Sequence, residues 1–520
     1  MSLKEKYPEL GSMALFLEAV EGDYKQYQSM PLIVSGEILF IFGLFPISED
    51  VKLFMRINSH VEVVFLVNTL SELLHFSELS MDEGFNHEKI HVKWKAEEMD
   101  DERWAEEIAF FFPYERAHFL QNGLEEKRFT HLKNTFLRKL VLEASVHREL
   151  IHYPMLCKNL LANIPRISQS FDIGLWKDTF KGTPAVIAGA GPSLSGVKDQ
   201  LHLMKNKALI LAGGSTITAL DRLGISPHLA FAIDPNSEEY DRLRTSRVFS
   251  APLIYTNRVQ KDIFRFFAAD TGYIRTETGG LFEVFMDDRL NIKDYGILKH
   301  LSEEALSVTT IALMVAIYLG CDPIFFAGVD LGLKGNKRYS GDILASWENS
   351  LDKDPLQETK WLMERDVIDA VAKAYPDRSF YDATGNGLTF KEVSAKPFAE
   401  KRFKEKENLH GKIENLILDS KFDITAYQVI EHLKELKDSL DNMCVLIQKY
   451  LSNHLSETLF FYEIEENVSY KIFFRGMVFS LEKPLLKKLR AEGKEHTKEE
   501  LSKSIFSKIL EEGMKLSSLF

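Results

Sequence analysis

Residues 183–196 read Thr-Pro-Ala-Val-Ile-Ala-Gly-Ala-Gly-Pro-Ser-Leu-Ser-Gly, and within them Gly189, Gly191, Pro192, Ser193 and Leu194 have the types and spacing of a phosphate-binding turn. Residues 184–188 are short, apolar and β-prone, the pattern of a strand buried on both faces. The two glycines punctuate a tight turn. Pro192 suits the first position of a helix, because it has no N–H to lose there. Leu194, Val197, Leu201 and Met204 then recur at helical spacing. A strand, a Gly-rich turn and a helix in this order present free backbone N–H groups and the positive end of a helix dipole, which together suit an anion. The same glycines also suit a plain strand-to-helix turn, and Gly-x-Gly spacing alone does not separate the two.

The elements that must position this turn follow from the alternation around it. Strands are expected at 208–212, 229–233, 253–255, 324–327 and 379–381, and helices at 215–223, 303–319 and 358–374. Strands alternating with helices imply a doubly wound parallel sheet with right-handed crossovers, an α/β fold of Rossmann-like type. In such sheets ligands bind beyond the carboxyl ends of the strands. The residues expected there are the 189–193 turn, Gly213, Gly214 and Ser215, Asp234 with Pro235 and Asn236, Asn257, and Asp330. Each is also a good turn former. Their joint placement at one edge is what a nucleotide site needs.

Around this segment the pattern changes. Residues 1–115 read as a smaller α/β domain, with strands at 32–34, 38–42 and 61–67 and no phosphate-cradling turn. Residues 116–176 read as a helical connector, 177–395 as the nucleotide-binding domain, and 396–520 as a helical C-terminal domain with a long amphipathic run at 424–455. A chain of 520 residues is too long for one core. The net charge of −13 argues against nucleic acid as the main partner, since a phosphate-backbone surface wants a basic excess. Cys157, Cys321 and Cys444 form no zinc spacing and no disulfide framework, which fits a reducing compartment. The charged start of the chain lacks a signal-peptide core. The most apolar run, 31–46, contains Glu37 and is too short for a membrane span. The expected location is cytoplasmic.

The motifs then carry a resemblance. Ile187-Ala-Gly-Ala-Gly-Pro-Ser-Leu194, Leu223-Gly-Ile-Ser-Pro-His228, Ala232-Ile-Asp-Pro235, Ala316-Ile-Tyr-Leu-Gly320, Phe326-Ala-Gly-Val-Asp-Leu331 and Tyr381-Asp-Ala-Thr-Gly-Asn-Gly387 occur in this order. Together they resemble the motility accessory factor family of flagellin glycosyltransferases, whose central domain is similar to bacterial sialyltransferases. The first turn also resembles one in archaeal 6-hydroxymethylpterin diphosphokinases. What the first resemblance implies is transfer of a nonulosonic acid, of the pseudaminic or legionaminic type, from a CMP-activated donor to serine or threonine of flagellin. It implies no metal and no cofactor beyond the donor. Carried onto this chain, residues 189–194 lie against the donor phosphate and ribose, and Asp234 lies near its nucleotide or sugar. Ser307 and Thr309 bond its carboxylate or phosphate. Asp330 and the loop after it face the reacting centre.

The residue types agree with that chemistry. Breaking a sugar–phosphate bond needs donors for the leaving phosphate and a base for the acceptor hydroxyl. The family's loop usually carries a histidine, whereas here it reads Lys334-Gly-Asn-Lys-Arg-Tyr-Ser-Gly-Asp342. Arg338 is always charged and cannot serve as a base, but suits the leaving phosphate. Tyr339 and Asp342 are the candidates for the base. Asp352-Lys-Asp354 reads as a solvated loop rather than a cation site, and Asp287-Asp288 as a surface turn. Two other readings follow from the same residues: a pterin diphosphokinase-like nucleotide enzyme, and a non-catalytic flagellin-binding protein. The sequence leaves the oligomeric state open.

Overall fold

The computed structural model describes residues 38–43, 61–67, 89–96, 98–112, 117–121, 124–151, 153–244, 248–276, 279–301, 307–332, 355–385, 387–398, 403–405, 408–478, 481 and 497–520. Contacts divide the chain into two units, residues 1–148 with 352–363 and residues 149–351 with 364–520. The expected strand at 32–34, the 334–342 loop and the 352–354 pair lie outside the described residues.

The first unit holds a four-stranded parallel sheet of β1 (Ile38–Phe42), β2 (Glu62–Val67), β3 (Ile90–Trp94) and, after helix α1 (Asp101–Phe111), β4 (Ala117–Gln121), in the order β3-β2-β1-β4. Helix α2 (Glu126–Ile151) follows. Every residue of β1 is buried, which is why it reads as an unbroken apolar run. Residues 117–121, expected to open a helical connector, are instead a strand. Phe119 stacks on Phe40 and Phe42 with centroids 5.3 and 6.0 Å away, so pairing with β1 outweighs local helical preference. Phe136 of α2 closes the core against Phe42 and Trp104, both at 5.2 Å.

The second unit is built on nine parallel strands. Helix α3 (Tyr153–Asn163) leads to β5 (Phe171–Asp172) and β6 (Ala185–Ala188). Then come α4 (Lys198–Met204), β7 (Leu209–Gly213), α5 (Ser215–Arg222), β8 (Leu229–Ala232), α6 (Ser237–Leu243), β9 (Leu253–Tyr255), β10 (Thr271–Tyr273) and α7 (Gly280–Arg289). They are followed by α8 (Val308–Tyr318), β11 (Ile324–Ala327), α9 (Pro355–Ala374), β12 (Phe380–Asp382) and β13 (Ser394–Ala395). The order is β13-β12-β11-β6-β7-β8-β9-β10-β5. From β6 the chain walks outward through β7 to β10, then returns to the other side of β6 as β11. The switch point of the sheet therefore lies between β6 and β11, where such folds open a crevice. Ala188 pairs with Ala327 on one side and Ala212 on the other, so three strand ends finish level there.

The doubly wound α/β expectation is met, and the strands at 253–255 and 324–327 coincide with β9 and β11. β5, β10 and β13 lie outside the expected strands. Thr271-Gly-Tyr273 has no alternation of its own and is a strand because β9 offers it an edge. Alternate residues of β6 feed two cores. Ala185 and Ile187 face α8, while Val186 and Ala188 share a core with the C-terminal helices α10 (Leu409–Asp419) excepted. Those are α11 (Ala426–Leu451), α12 (Glu457–Glu466) and α13 (Lys498–Ser517), with Val429, Leu436, Phe460 and Ile509 buried. A capping box of Thr425 and Gln428 starts α11 at the sequence-expected place. Among the described residues no helix is long and apolar enough to cross a membrane.

Replacing Phe136 with alanine is expected to destabilise the first unit by about 3–5 kcal/mol, because it empties a ring-lined site. Urea unfolding followed by tryptophan fluorescence checks this, and a loss below about 1 kcal/mol would contradict the packing described.

Candidate functional site at the carboxyl edge of the sheet

The 189–194 turn leaves β6 and meets the turn after β11 at backbone distance. The Gly189 N–H donates to the Ala327 carbonyl and the Gly191 N–H to the Gly328 carbonyl, both at 2.8 Å. A Cβ on Gly191 would stand 2.6 Å from the Gly328 carbonyl oxygen and 2.7 Å from the Asp330 carboxyl, so only glycine permits the approach. Asp330 is buried, and its carboxylate takes the Ser193 N–H at 2.8 Å and the Ser193 hydroxyl. The Leu194 N–H donates to the Gly191 carbonyl. The amides expected to cradle a phosphate are thus largely spent inside the protein. Asp330 holds the place of the anion and clamps the two turns together.

The next strand end is arranged differently. Gly214 has φ +52°, the region that favours glycine, and turns the chain from β7 into α5. No side chain caps α5, and the N–H groups of Ser215 and Thr216 find no acceptor among the described residues. Both residues are buried. Val308, the first residue of α8, lies against Gly213: a Cβ there would be 1.6 Å from Val308 Cγ1. This brings Ser307 and Thr309 to the same corner. Ser307 caps α8 by accepting from the Thr310 N–H at 3.1 Å, and its hydroxyl donates to Glu364 at 2.7 Å.

Beyond β8, Asp234 is partly exposed and faces Arg242, whose Nη1 is 3.5 Å from Oδ2. Asn236 caps α6 by accepting from the Glu239 N–H at 3.3 Å. Glu239 itself is fully buried, and among the described residues neither carboxyl oxygen has a hydrogen-bond partner. Burial, then the Asp234 charge, pushes its pKa up to about 8, with Arg242 opposing. The Asn236-x-x-Glu239 spacing is the one signal in the sequence that singles out this residue, and it points to a cap rather than to a buried acid.

Asn257 does not join the site. It is fully buried; its N–H donates to Glu283 at 3.3 Å and its side-chain amide to the Leu160 carbonyl at 3.4 Å, while Asn163 donates to its carbonyl at 3.0 Å. It ties β9 to α3. Asp287, expected in a surface turn, is likewise buried, on α7. The Tyr273 hydroxyl lies 2.9 Å from Asp287 and 3.1 Å from Glu283. One hydroxyl proton cannot serve both acceptors. Burial, followed by the Glu283 charge, pushes Asp287 up to about 8, and burial also raises Glu283. The structure therefore gathers the 189–194 turn with Asp330, and Gly213, Gly214 and Ser215 with Ser307, Thr309, Asp234 and Asn236. Arg338, Tyr339 and Asp342 fall outside the described residues.

This edge lies within what the chain shares with known proteins. Residues 158–336 match the family model described as 6-hydroxymethylpterin diphosphokinase MptE-like, a span that includes β6 to β11. Over nearly the whole chain, the fold is similar to that in the structure of MAf glycosyltransferase from Magnetospirillum magneticum AMB-1. That match has a TM-score of 0.50 at 15% identity, covering 95% of this chain and 81% of the other. It is a likeness of fold. No curated protein matches the sequence. Both resemblances read from the motifs are thus found, one in the central segment and one in the architecture.

Asp330→Ala leaves the Ser193 amide and hydroxyl without their partner, and is expected to lower stability by about 1–3 kcal/mol, with Asp330→Asn recovering part of it; urea denaturation measures both. Asp287 has its pKa raised on folding, so the native state holds a proton that the unfolded chain releases. Stability should then fall as pH rises from the ordinary carboxyl range to about 8. Thermal melts from pH 5 to 9 should show that fall, and Asp287→Asn should reduce it.

Proposed function

We propose that this protein is a glycosyltransferase that moves a nonulosonic acid, of the pseudaminic or legionaminic type, from a CMP-activated donor to serine or threonine of flagellin in the cytoplasm, in support of flagellum assembly and motility. The observation that carries the reading is the convergence at one sheet edge of the switch-point turns with the starts of α5 and α8. Two of the motifs that carry the resemblance, 187–194 and 326–331, lie on the switch-point turns, and the fold likeness to a MAf glycosyltransferase supports the assignment.

In this reading the acceptor hydroxyl oxygen attacks the anomeric carbon, the bond from that carbon to the phosphate oxygen breaks, and CMP leaves with the electron pair. The acceptor's proton passes to a base. Asp330 is engaged with Ser193, so its part is to hold the turn from which the next loop departs. Tyr339 or Asp342 on that loop takes the proton, and Arg338 steadies the leaving phosphate. The donor needs no further cofactor.

The match to the MptE-like family model favours one second reading, ATP-dependent pyrophosphoryl transfer to a pterin at the same edge. The purified chain, incubated with a CMP-activated nonulosonic acid and unmodified flagellin, is expected to add the sugar mass to flagellin peptides. Replacing the base, by Tyr339→Phe or Asp342→Asn, should cut the rate by about 10²–10⁴-fold. Absence of any sugar adduct, with pyrophosphorylated pterin formed from ATP, would replace the first reading by the second.

A further inference from the structure

Glu239 stands third in α6, where a capping-box glutamate reaches back to the N–H of its cap. Here it does not. Its carboxyl is enclosed and unpartnered, with Arg242 Nη1 3.7 Å from Oε2, beyond hydrogen-bond length and shared with Asp234. The carboxyl lies instead against Gly214: a Cβ built there would stand 3.6 Å from Oε2 and 3.9 Å from Oε1. Leaving a buried polar group unsatisfied is costly, which asks what keeps it there.

Gly213 and Gly214 mark the meeting of two helix ends. α5 starts at Ser215 with its first two amides free among the described residues, and α8 starts at Val308, in contact with Gly213. We propose that this junction binds a phosphate group, and that Glu239 is a positioning residue that controls it from behind Gly214. Identifying the phosphate as that of the nucleotide-activated donor rests on the transferase reading above; the anion site itself does not.

The electrostatics give the control its sign. Two helix N-termini present partial positive charge, and an ionised carboxylate beside them would compete with a bound anion. Glu239 is held at about 8 by burial and by Asp234, so at neutral pH it is an uncharged acid and leaves the field to the ligand. The charged groups that face it are Asp234, from the loop after β8, and Arg242, one turn along α6. α5 faces it with the turn at Gly214, and the 263–266 turn packs on the neighbouring Tyr240, with Arg265 over that ring at 5.6 Å. Raising the pH through 8 places a negative charge behind the junction and expels the anion.

The test is calorimetric titration of the full chain with sulfate, a tetrahedral anion that does not titrate in this range, and with CMP, at pH 7, 8 and 9. The expected result is binding of both at pH 7, falling about tenfold by pH 9 as the competent, protonated fraction falls. Glu239→Gln should bind both anions at pH 7 and lose the alkaline fall, which a merely structural role would not produce. Ser215→Asp, which suits the first position of a helix but sets a charge at the junction, should abolish binding of both. No anion binding by the wild-type chain, a flat wild-type profile, a fall that persists in Glu239→Gln, or unchanged binding in Ser215→Asp would each overturn the proposal. Anion binding that follows Glu239 in a chain that transfers no sugar would uphold it and remove the transferase reading instead.

Discussion

The carboxyl edge of the central sheet depends on one contact, the buried carboxylate of Asp330 on the amide and hydroxyl of Ser193. The two residues come from turns 137 positions apart in sequence, one leaving β6 and one leaving β11. These strands are neighbours only because the chain returns across β6 after building β7 to β10. The clamp therefore closes the switch point of the sheet. It works because glycine at 189, 191 and 328 lets backbone touch backbone, and because a charge-assisted bond to an amide is strong where water is excluded.

With that corner closed, the free amides of the edge lie one strand away, at the end of β7. Helix N-termini attract negative charge, but an amide already bonded to a side-chain carboxylate has nothing left to offer a ligand. At the end of β7 no side-chain carboxylate among the described residues bonds the first amides of α5, although the Glu239 carboxyl lies behind Gly214. Gly214 turns the chain, Ser215 and Thr216 keep their donors free among the described residues, and the start of α8 is brought alongside by the contact of Val308 with Gly213. The polar groups further along the sheet are consumed in a different way. Asn257, Asn163, Glu283, Tyr273 and Asp287 bond to one another and to main chain, fastening β9 and β10 to α3 and α7.

Buried acids recur along this edge, and they do different work. Asp330 is satisfied by two donors. Glu283 is satisfied by several, among them the Gly279 N–H at 2.9 Å. Asp287 shares the Tyr273 hydroxyl with it and is driven toward its protonated form. Among the described residues Glu239 has no hydrogen-bond donor, Arg242 standing 3.7 Å from Oε2. Burial raises the pKa of Glu283, Asp287 and Glu239 alike, and the donors aimed at Glu283 and Asp287 oppose that rise.

From the sequence alone, the parallel α/β class, the glycine turn, the level of most strand ends and the start of α11 were legible. They rest on local patterns: apolar runs of strand length, helical periodicity, caps, and glycine where the chain must turn. What tertiary structure alone decided was partnership. Residues 117–121 became a strand because β1 supplied a pairing edge and Phe40 and Phe42 stacked on Phe119. Thr271-Gly-Tyr273 became one because β9 did. Asp330 became the filler of the turn that a ligand was expected to fill, Asn257 became an internal strut, and Asp287 left the surface. Glu239 carried a cap's spacing but found its place inside. Spacing along a chain encodes hydrogen bonds within a few residues. Which distant donor reaches a buried carboxyl, or fails to, is set only when the strands take their order in the sheet.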